Sequence, residues 1–406
     1  MGNVYSERIA ALRGVMSANG WDAVVITGSD PHSSEYQAPR WKQVEWLTGF
    51  TGEAGDVVVT MDHAGLWTDS RYFIQALAQL DGSGVELHKT RQPDTVRIPQ
   101  WLAGRAKTVA VDGLCQSVSG VQEIEECIGE GGLVVDVPDL LQELWEGRPQ
   151  IPVTPITTLD VEAFGGIPRI DKISWLRKWM LLKGYDKVLL SSLDEIAWML
   201  NVRGSDIDYN PLVISYLLVS QDYVKWFVKK SASDAELDPD TLDSFSELKM
   251  DGVDVEDYDA VFFALSDFGQ DETSGTIFVD PSTLNSHIHK YLCGSFPADS
   301  VVCGMSPVIS EKSIKSQSEV ENFRQAYIED GVAMECFIHW LESEVASGRE
   351  VTEWEASERL TAFRAEIPGY RGNSFENISG YGPNAALPHY STPENGSAVI
   401  RPHGLY

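Results

Sequence analysis

Residues 374–393 have the sequence SFENISGYGPNAALPHYSTP, and the organisation of the chain is clearest from this stretch. The glycines, proline and asparagine of residues 380–384 predict a turn, because glycine tolerates positive φ and proline fixes its own φ. A short apolar run then leads to His389, which stands between a proline and a tyrosine. Such a restricted backbone suits a side chain that must be aimed. The residues alone leave two interpretations open: an aimed catalytic histidine, and an ordinary loop histidine at the end of a strand.

The composition is that of an acidic protein with ordinary hydrophobic content. The 406 residues include 61 acidic and 31 basic side chains, which gives a formal net charge of -30. A surface this negative repels phosphate, so the composition argues against nucleic acid as a partner. Hydrophobic residues make up 43% of the chain. The length is sufficient for about two to four domains with cores of their own.

Cysteine usage and the lack of long apolar segments bear on the cellular compartment. The five cysteines are widely spaced and form no CxxC pair. That pattern is typical of reduced thiols rather than of a disulfide framework. The N-terminal segment lacks a long apolar core, and no run of about 18 apolar residues occurs, so we expect neither a signal peptide nor a membrane span. These features predict a cytoplasmic protein with no membrane partner.

Residues 1–150 predict a first α/β domain, because short apolar strands alternate with amphipathic helices. Gly49-Phe-Thr-Gly-Glu-Ala-Gly55 supplies three glycines, but a strand follows them, which argues against a phosphate-binding loop. Leu66-Trp-Thr-Asp-Ser-Arg-Tyr-Phe73 predicts a strand that leads into a helix. Asp69 and Ser70 are suitable caps for that helix, and Arg71 would lie in its first turn. A structural ion pair between Arg71 and a carboxylate is the alternative to a functional role.

Residues 151–313 predict a second α/β domain that repeats the order helix, strand, loop, strand. Ser192 and Glu195 have the spacing of a capping box and predict the start of a helix. His287 and His289 have the alternation of one face of a strand, but no third ligand is evident, which favours chance surface histidines. Four acidic residues suggest a metal site, although their positions at a helix start and in a turn favour structural roles. These residues are Asp194, Glu195, Asp206 and Asp208.

Residues 314–406 predict a third, shorter segment. A long amphipathic helix follows Lys315, and a second helix is predicted from Thr352, its N-cap, with Glu355 at the capping-box position. Ser374–Ile378 then predicts a strand before the His389 segment. We expect a partial sheet with an unpaired edge in this segment.

Several of these stretches together resemble a known family. The segment SGYGPNAALPHY is similar to the substrate-binding segment of the X-prolyl aminopeptidases (aminopeptidase P) of the pita-bread metallopeptidase superfamily. SSEYQAP, GFTGEAG and LWTDSRYF resemble, in order and spacing, the N-terminal domain of the same enzymes. SLDEIAWMLNVRGSDIDYNP looks like the middle domain of the three-domain, eukaryote-type members. The resemblance implies an α/β protein with two consecutive creatinase-N-like mixed-sheet domains, followed by a partial pita-bread (α+β) catalytic domain.

The resemblance also assigns roles to two residues. His389 matches the family histidine that contacts the substrate and polarises the scissile carbonyl, so it is expected to be catalytic and substrate-binding. Arg71 matches an arginine linked to substrate binding. The implied substrate is a peptide with proline in second position, and the full-length protein is expected to be a homodimer.

The family resemblance implies a cofactor that this chain is not expected to hold. Such enzymes use two divalent cations, usually manganese, held by two Asp, one His and two Glu, and carboxylates suit this hard ion. None of the five positions maps onto this sequence, because the family's Asp-Ser-Gly motif would begin beyond Tyr406. The sequence therefore predicts a fragment that binds no dimetal centre and shows no turnover by itself.

Two other functions are compatible with the same architecture. Metal-free relatives bind peptides or histones, and an acidic surface would suit basic partners. Creatine amidinohydrolase-like chemistry also occurs on this fold, but those chains have a single N-terminal domain, whereas two precede His389 here.

Overall fold

The structure of the chain is a computed structural model, and it describes residues 3–164, 166–230, 238–270, 275–297 and 299–406. Two compact units make up the chain. The first comprises Met1–Val161 and Ile167–Ile314, and the second comprises Glu162–Gly166 and Lys315–Tyr406. The predicted domain boundaries at residues 150 and 313 stay predictions.

The first unit begins with a six-stranded mixed sheet in the order β4-β3-β2-β1-β5-β6. The pairs β1–β2 and β2–β3 are antiparallel, whereas β3–β4, β1–β5 and β5–β6 are parallel. Its strands are β1 (Ala23–Ile26), β2 (Asp56–Thr60), β3 (Ala64–Thr68), β4 (Glu86–Lys89), β5 (Thr108–Val111) and β6 (Leu133–Asp136). Its helices are α1 (Val4–Asn19), α2 (Gln43–Thr48), α3 (Phe73–Gln79), α4 (Ile98–Leu102) and α5 (Val118–Ile128).

A second six-stranded sheet in the same unit has the order β12-β11-β10-β8-β13-β14. Its strands are β8 (Lys187–Leu190), β10 (Ser215–Ser220), β11 (Val224–Val228), β12 (Val253–Asp257), β13 (Ile277–Val279) and β14 (Val301–Cys303), and β7 (Thr157–Thr158) pairs separately with β9 (Val202–Arg203). The helices are α7 (Arg169–Lys183), α8 (Leu193–Leu200), α9 (Pro239–Met250), α10 (Ala260–Gln270), α11 (Ser286–Ser295) and α12 (Pro307–Ser313).

The two sheets repeat one topology. Strand for strand, the second sheet has the same order and the same parallel and antiparallel pairs as the first. The central strands are buried along their length in both sheets, which matches their apolar runs. The repeat predicted from the order of elements is thus present as structure.

Backbone hydrogen bonds join the two repeats where α5 and α11 begin. The Val118 amide donates to the Leu284 carbonyl at 3.1 Å, and the Ser286 amide donates to the Gln116 carbonyl at 2.8 Å. The N-cap residues of the two helices, Ser117 and Asn285, form an antiparallel bridge. Equivalent positions of the two repeats therefore pair with each other.

His32 is buried where the two repeats meet, a contact region called the seam below. Its Nδ1 lies 2.9 Å from the Ser191 carbonyl oxygen, and its Nε2 lies 2.9 Å from the Tyr258 hydroxyl. Because a carbonyl oxygen only accepts, Nδ1–H donates to Ser191 and Nε2 accepts from Tyr258. Burial lowers the pKa of His32, against the opposing effects of Asp30 and the Ser191 hydrogen bond. The imidazole therefore joins the repeats as a neutral, fully bonded group.

The second unit is mainly helical. A capping box starts its longest helix, because Ser316 Oγ accepts from the Glu319 amide while a Glu319 carboxylate oxygen accepts from the Ser316 amide. The predicted strand at Ser374–Ile378 is wrong: this segment is irregular and pairs with no strand among the described residues. Its elements are α6 (Val161–Phe164), α13 (Gln317–Ala346), α14 (Glu353–Ala365), a 3-10 helix (Gly382–Ala386), and the antiparallel pair β15 (Val351–Thr352) and β16 (Val399–Ile400).

The amphipathic pattern of α13 is only partly used for packing. Phe337 lies in a small core with residues of α14 and the β15–β16 pair. Phe323 and Tyr327, at the other end of the predicted apolar stripe, are 53% and 76% exposed. The helix itself was predictable from its periodicity, but the burial of its whole apolar face was not.

Candidate active-site segment

The segment that ends in His389 begins with two constrained glycines. A side chain at Gly380 would place its Cβ 3.0 Å from the Asn384 carbonyl oxygen, which is backbone and cannot move aside easily. Gly382 has φ of 60°, a conformation that side chains disfavour, and it starts the 3-10 helix. The predicted turn is present, and the apolar residues after it continue the 3-10 helix rather than forming a strand.

A buried carboxylate, Glu353, holds this segment in place. Its side chain is inaccessible to solvent, and one oxygen accepts from the Tyr381 amide at 2.5 Å. Asn384 Nδ2 donates to both of its oxygens, at 3.0 and 3.2 Å. The other oxygen accepts from the Tyr390 hydroxyl at 2.9 Å and from the Ala398 amide at 3.1 Å. Donors from four residues across the segment therefore converge on one carboxylate.

These donors determine the charge of Glu353. Burial alone would raise the pKa of Glu353, but the hydrogen bonds from Tyr381, Asn384, Ala398 and Tyr390 together leave that pKa below its ordinary value. Burial, together with the hydrogen bond to Glu353, raises the pKa of Tyr390 to about 12. The pair is thus an ionised acceptor and a protonated donor at neutral pH.

A second anchor, Ser379, lies at the beginning of the segment. Its hydroxyl donates to the Glu353 carbonyl oxygen at 2.6 Å, and its own carbonyl accepts from Thr392 Oγ1 at 3.0 Å. Residues on both sides of His389 are therefore tied to the start of α14. Sequence reasoning missed Glu353, because its partners lie 28 to 45 residues away and only an acidic residue at a helix start is visible locally.

His389 lies in a turn after the 3-10 helix and is partly exposed. The next residue, Tyr390, is fixed to Glu353, so the backbone beside the imidazole is restrained. An aimed histidine requires this kind of restraint, and it requires a ring that a ligand can reach. The catalytic and substrate-binding roles of His389 stay predictions.

Arg71 forms the structural ion pair with a carboxylate that is the alternative to its functional role. Its Nε and Nη2 donate to the two carboxylate oxygens of Asp69, at 2.9 and 2.8 Å. The hydrogen bond to Arg71 lowers the pKa of Asp69, and the same bond raises the pKa of Arg71.

Asp69 was expected to cap the helix, but α3 begins at Phe73 with Tyr72 at the N-cap position and no side-chain cap. The Arg71 side chain is 42% exposed, so it remains accessible. It belongs to the first unit and His389 to the second.

Two of the four acidic residues considered as metal ligands, Glu195 and Asp206, have structural partners. Asp206 accepts from Thr154 Oγ1 at 2.7 Å and from the Ile214 amide at 2.8 Å. Glu195 is buried and accepts from Ser306 Oγ at 2.5 Å. The predicted capping box is therefore wrong: Ser192 occupies the N-cap position of α8 without a side-chain cap bond, and Glu195 turns inward.

His287 and His289 lie on a helix, α11, and not on a strand as their alternation predicted. His287 Nδ1 contacts Asp136 at 2.7 Å, and His289 lies 3.7 Å from the sulfurs of Cys293 and Cys303. The two imidazole rings thus contact different residues and do not share a ligand. Within the described residues, the His, Cys, Asp and Glu side chains that bring three ligand atoms together are His63, Glu86 and His88.

No helix in the described part of the chain is both long enough and apolar enough to cross a lipid bilayer.

Known protein families match the chain in three consecutive blocks. Residues 8–144 and residues 147–319 each match a creatinase/prolidase N-terminal domain. Residues 321–406 match metallopeptidase family M24. The predicted fold, two mixed-sheet domains of creatinase-N type followed by a partial catalytic domain, is confirmed.

Curated relatives and a crystal structure match almost the whole chain. A probable Xaa-Pro aminopeptidase P of Laccaria bicolor is 33% identical over 414 residues, covering 99% of this chain and 61% of the relative. One of Pyricularia oryzae is 36% identical over 419 residues, covering 99% and 66%. The crystal structure of X-prolyl aminopeptidase from Caenorhabditis elegans, a cytosolic enzyme with a di-nuclear active site, matches with a TM-score of 0.87 and 30% identity, covering 98% of this chain and 66% of that one. The chain thus spans less than two thirds of the length of these proteins.

Proposed function

We propose that this chain, which belongs to the Xaa-Pro aminopeptidase P family of M24 metallopeptidases, acts in the release of the N-terminal residue from peptides with proline in second position. The similarity over 99% of the chain carries the proposal, because it includes both N-terminal repeats and the segment around His389. The activity is proposed for a protein that also supplies the part of the relatives that these residues do not match.

The chemistry of proline explains why a dedicated enzyme is needed. The bond before proline is a tertiary amide without an N–H, and the ring fixes φ. A peptidase that relies on an extended substrate with that N–H handles this bond poorly. A shaped pocket and an aimed electrophilic group are therefore required at the scissile carbonyl.

His389 is proposed to supply the aimed group. A histidine within hydrogen-bonding reach of the scissile carbonyl oxygen stabilises the charge that develops there in the transition state. The anchoring of Tyr381, Asn384 and Tyr390 to Glu353 supports this role, because a positioned donor requires a rigid backbone around it.

Arg71 is proposed to bind the peptide rather than to take part in the chemistry. Its guanidinium group is already oriented by Asp69, and a substantial part of the side chain is exposed. An arginine held in this way offers a fixed cation to a peptide carbonyl or carboxylate.

Two divalent cations, held mainly by carboxylates, are proposed for the complete enzyme, with manganese as the metal. The side chains described here do not fit such a centre. Two carboxylates, Glu353 and Glu376, accept hydrogen bonds from residues near His389, and both oxygens of each are used by internal donors. We therefore propose that residues 1–406 bind no dimetal centre by themselves.

Peptide cleavage by the protein translated from the complete reading frame tests the proposed activity. With manganese present, we expect release of arginine from Arg-Pro-Pro and much slower release from Arg-Ala-Pro. The 406-residue chain, purified free of host peptidases, is expected to release none and to bind no pair of manganese ions in calorimetry. Binding of basic peptides by the complete protein without any cleavage would instead favour a non-catalytic binding protein.

Two further properties follow from the same family membership as proposals. The C. elegans relative is a cytosolic enzyme, so we propose a cytosolic location, which cell fractionation tests. We also propose a homodimer for the complete protein, which light scattering of that protein tests.

A further inference from the structure

We propose that His63, Glu86 and His88 form a binding site for a divalent transition-metal ion at the edge of the first sheet. One ligand atom from each residue lies within 4.8 Å of the other two. The Nε2 atoms of the two histidines are only 3.1 Å apart. Neither Arg71 nor His389 takes part, so the site does not depend on the proposed peptidase function.

The sheet itself brings these side chains together. His63 lies in the turn between β2 and β3, next to the first residue of β3. Glu86 and His88 alternate along the edge strand β4 and therefore project from the same face of the sheet. Because β3 and β4 pair in parallel register, with Gly65 opposite Glu86 and Trp67 opposite His88, that face is continuous with the turn.

The residue at position 65 leaves the space in which the imidazoles meet. A Cβ on Gly65 would lie 2.6 Å from His63 Nε2 and 2.8 Å from His88 Nε2, closer than real contacts allow. Any other residue at this buried position would push the two nitrogens apart. Glycine is otherwise unfavourable inside a strand, so the close approach gives it a local reason.

Two tryptophans hold the rings in position. The His88 ring stacks on Trp67 with centroids 3.8 Å apart and planes only 4° from parallel. Trp101 lies 4.9 Å from the His63 ring. Both imidazoles are partly buried against these indoles, whereas the Glu86 side chain is 69% exposed. Glu86 Oε2 lies 3.7 Å from His63 Nδ1, so the carboxylate would turn to reach an ion held by the two Nε2 atoms. A site of this kind is preorganised in its nitrogen ligands and adaptable in its carboxylate.

The ligand atoms favour zinc, copper(II) or nickel(II). Imidazole nitrogens suit these ions, and carboxylate oxygen is a common further ligand. With metal–nitrogen bonds of about 2.0–2.1 Å, two nitrogens at this separation subtend roughly 100° at one ion. Such an ion would connect the β2–β3 turn to the edge strand β4 and so stabilise the edge of the sheet.

Zinc titration of the 406-residue chain by calorimetry tests the site. Cys293 and Cys303 lie close to His289 and could bind zinc themselves, so the titration uses a Cys293→Ser/Cys303→Ser background. We expect one zinc ion per chain and a higher melting temperature in its presence. His88→Gln should weaken binding at least about 100-fold and Glu86→Gln about 10-fold, since loss of a supporting partner alone already costs 10–100-fold.

Two further variants separate the site from general effects. Gly65→Ala keeps all three ligands but should weaken zinc binding by separating the imidazoles, with circular dichroism as the check on folding. His403→Gln, on the exposed C-terminal segment, should bind zinc like its parent. With copper(II), electron paramagnetic resonance should show two coordinated nitrogens in the parent chain and their loss in His63→Gln/His88→Gln. No zinc uptake at millimolar zinc, or uptake that persists in that double variant, would overturn the proposal and leave a hydrogen-bonded pair of imidazoles.

Discussion

At the scale of single residues, the account depends on Glu353 and on the segment it anchors. One inaccessible carboxylate accepts hydrogen bonds from Tyr381, Asn384, Tyr390 and Ala398. His389 stands next to one of these donors, and that position could be singled out from the sequence because of its local motif. The carboxylate could not, because its partners come together only when α14 packs against the chain's last residues. Local spacing carries no information about such a contact.

The substitution Glu353→Gln should destabilise the second unit. The glutamine amide would direct two N–H donors at groups that are themselves donors, so at least two hydrogen bonds are lost in a buried place. We expect a loss of about 2–4 kcal/mol in the free energy of unfolding, measured by chemical denaturation of the whole chain. The matched control is Glu355→Gln in the same helix, where a partly exposed ion pair with Arg349 should cost no more than about 1 kcal/mol. Equal losses in the two variants would contradict the anchoring role.

At the scale of elements, the helix starts show where sequence rules hold and where packing overrides them. Thr352 was predicted to cap α14, and its hydroxyl does accept from the Glu355 amide. Ser192 and Glu195 had the same spacing, yet Glu195 is buried against Ser306 instead. The capping rule describes a solvated helix end, whereas the start of α8 is covered by the residues that precede α12. The strand predicted for His287 and His289 failed for a different reason. Alternation over three residues is too short to separate a strand from a helix.

Glu195 should make the stability of the first unit depend on pH. Burial, with a smaller effect of the nearby Asp280, raises the pKa of Glu195 from 4.5 to about 7, against the opposing hydrogen bond from Ser306. A carboxyl group whose pKa is raised by folding contributes stability below its unfolded pKa, and that contribution is lost as the pH rises through its folded pKa.

The substitution Glu195→Gln is therefore predicted to help most at alkaline pH. Relative to the parent chain, this variant should gain about 1–3 kcal/mol in unfolding free energy between pH 5 and pH 8. Denaturant titrations at both values measure the gain. Asp194→Asn, one residue away and largely exposed, should show no comparable gain. A pH-independent difference for Glu195→Gln would show that the carboxyl is already ionised in the folded chain.

At the scale of the whole molecule, the first unit consists of two copies of one sheet topology joined through their helix starts. The α/β class, the order of elements and the presence of a repeat could be predicted, because strand and helix periodicity and glycine-rich turns are local signals. The seam between the repeats could not. His32 gave no signal in a polar loop, and its contacts with Ser191 and Tyr258 span 159 and 226 residues. Long-range contacts of this kind depend on the packed structure.

The seam should weaken as the solution is acidified. Because burial lowers the pKa of His32 below 6.5, the unfolded chain takes up a proton at this residue before the folded chain does. The contribution of His32 to the free energy of unfolding is therefore fully present above pH 6.5. It falls as the pH drops towards the folded pKa, by up to about 1.4 kcal/mol per pH unit.

A comparison of slopes isolates this residue from the other titrating groups. The unfolding free energy of His32→Gln should fall less steeply between pH 6.5 and pH 5 than that of the parent chain, whatever its absolute stability. His403→Gln, with an exposed ring, should keep the parental slope. Parallel lines for the parent and His32→Gln would mean that the buried imidazole does not control acid stability.

The central claim is that a rigid segment presents His389 to the scissile carbonyl of an Xaa-Pro peptide. The most direct test is kcat for arginine release from Arg-Pro-Pro by the complete, manganese-loaded protein, compared between the parent, His389→Ala and the control His339→Ala, an exposed residue of α13. We expect His389→Ala to lower kcat by roughly 100- to 1,000-fold with the fold intact, because it removes a preorganised donor, and the control to match the parent. A kcat for His389→Ala within about threefold of the parent, far below the effect of losing such a donor, would contradict the claim.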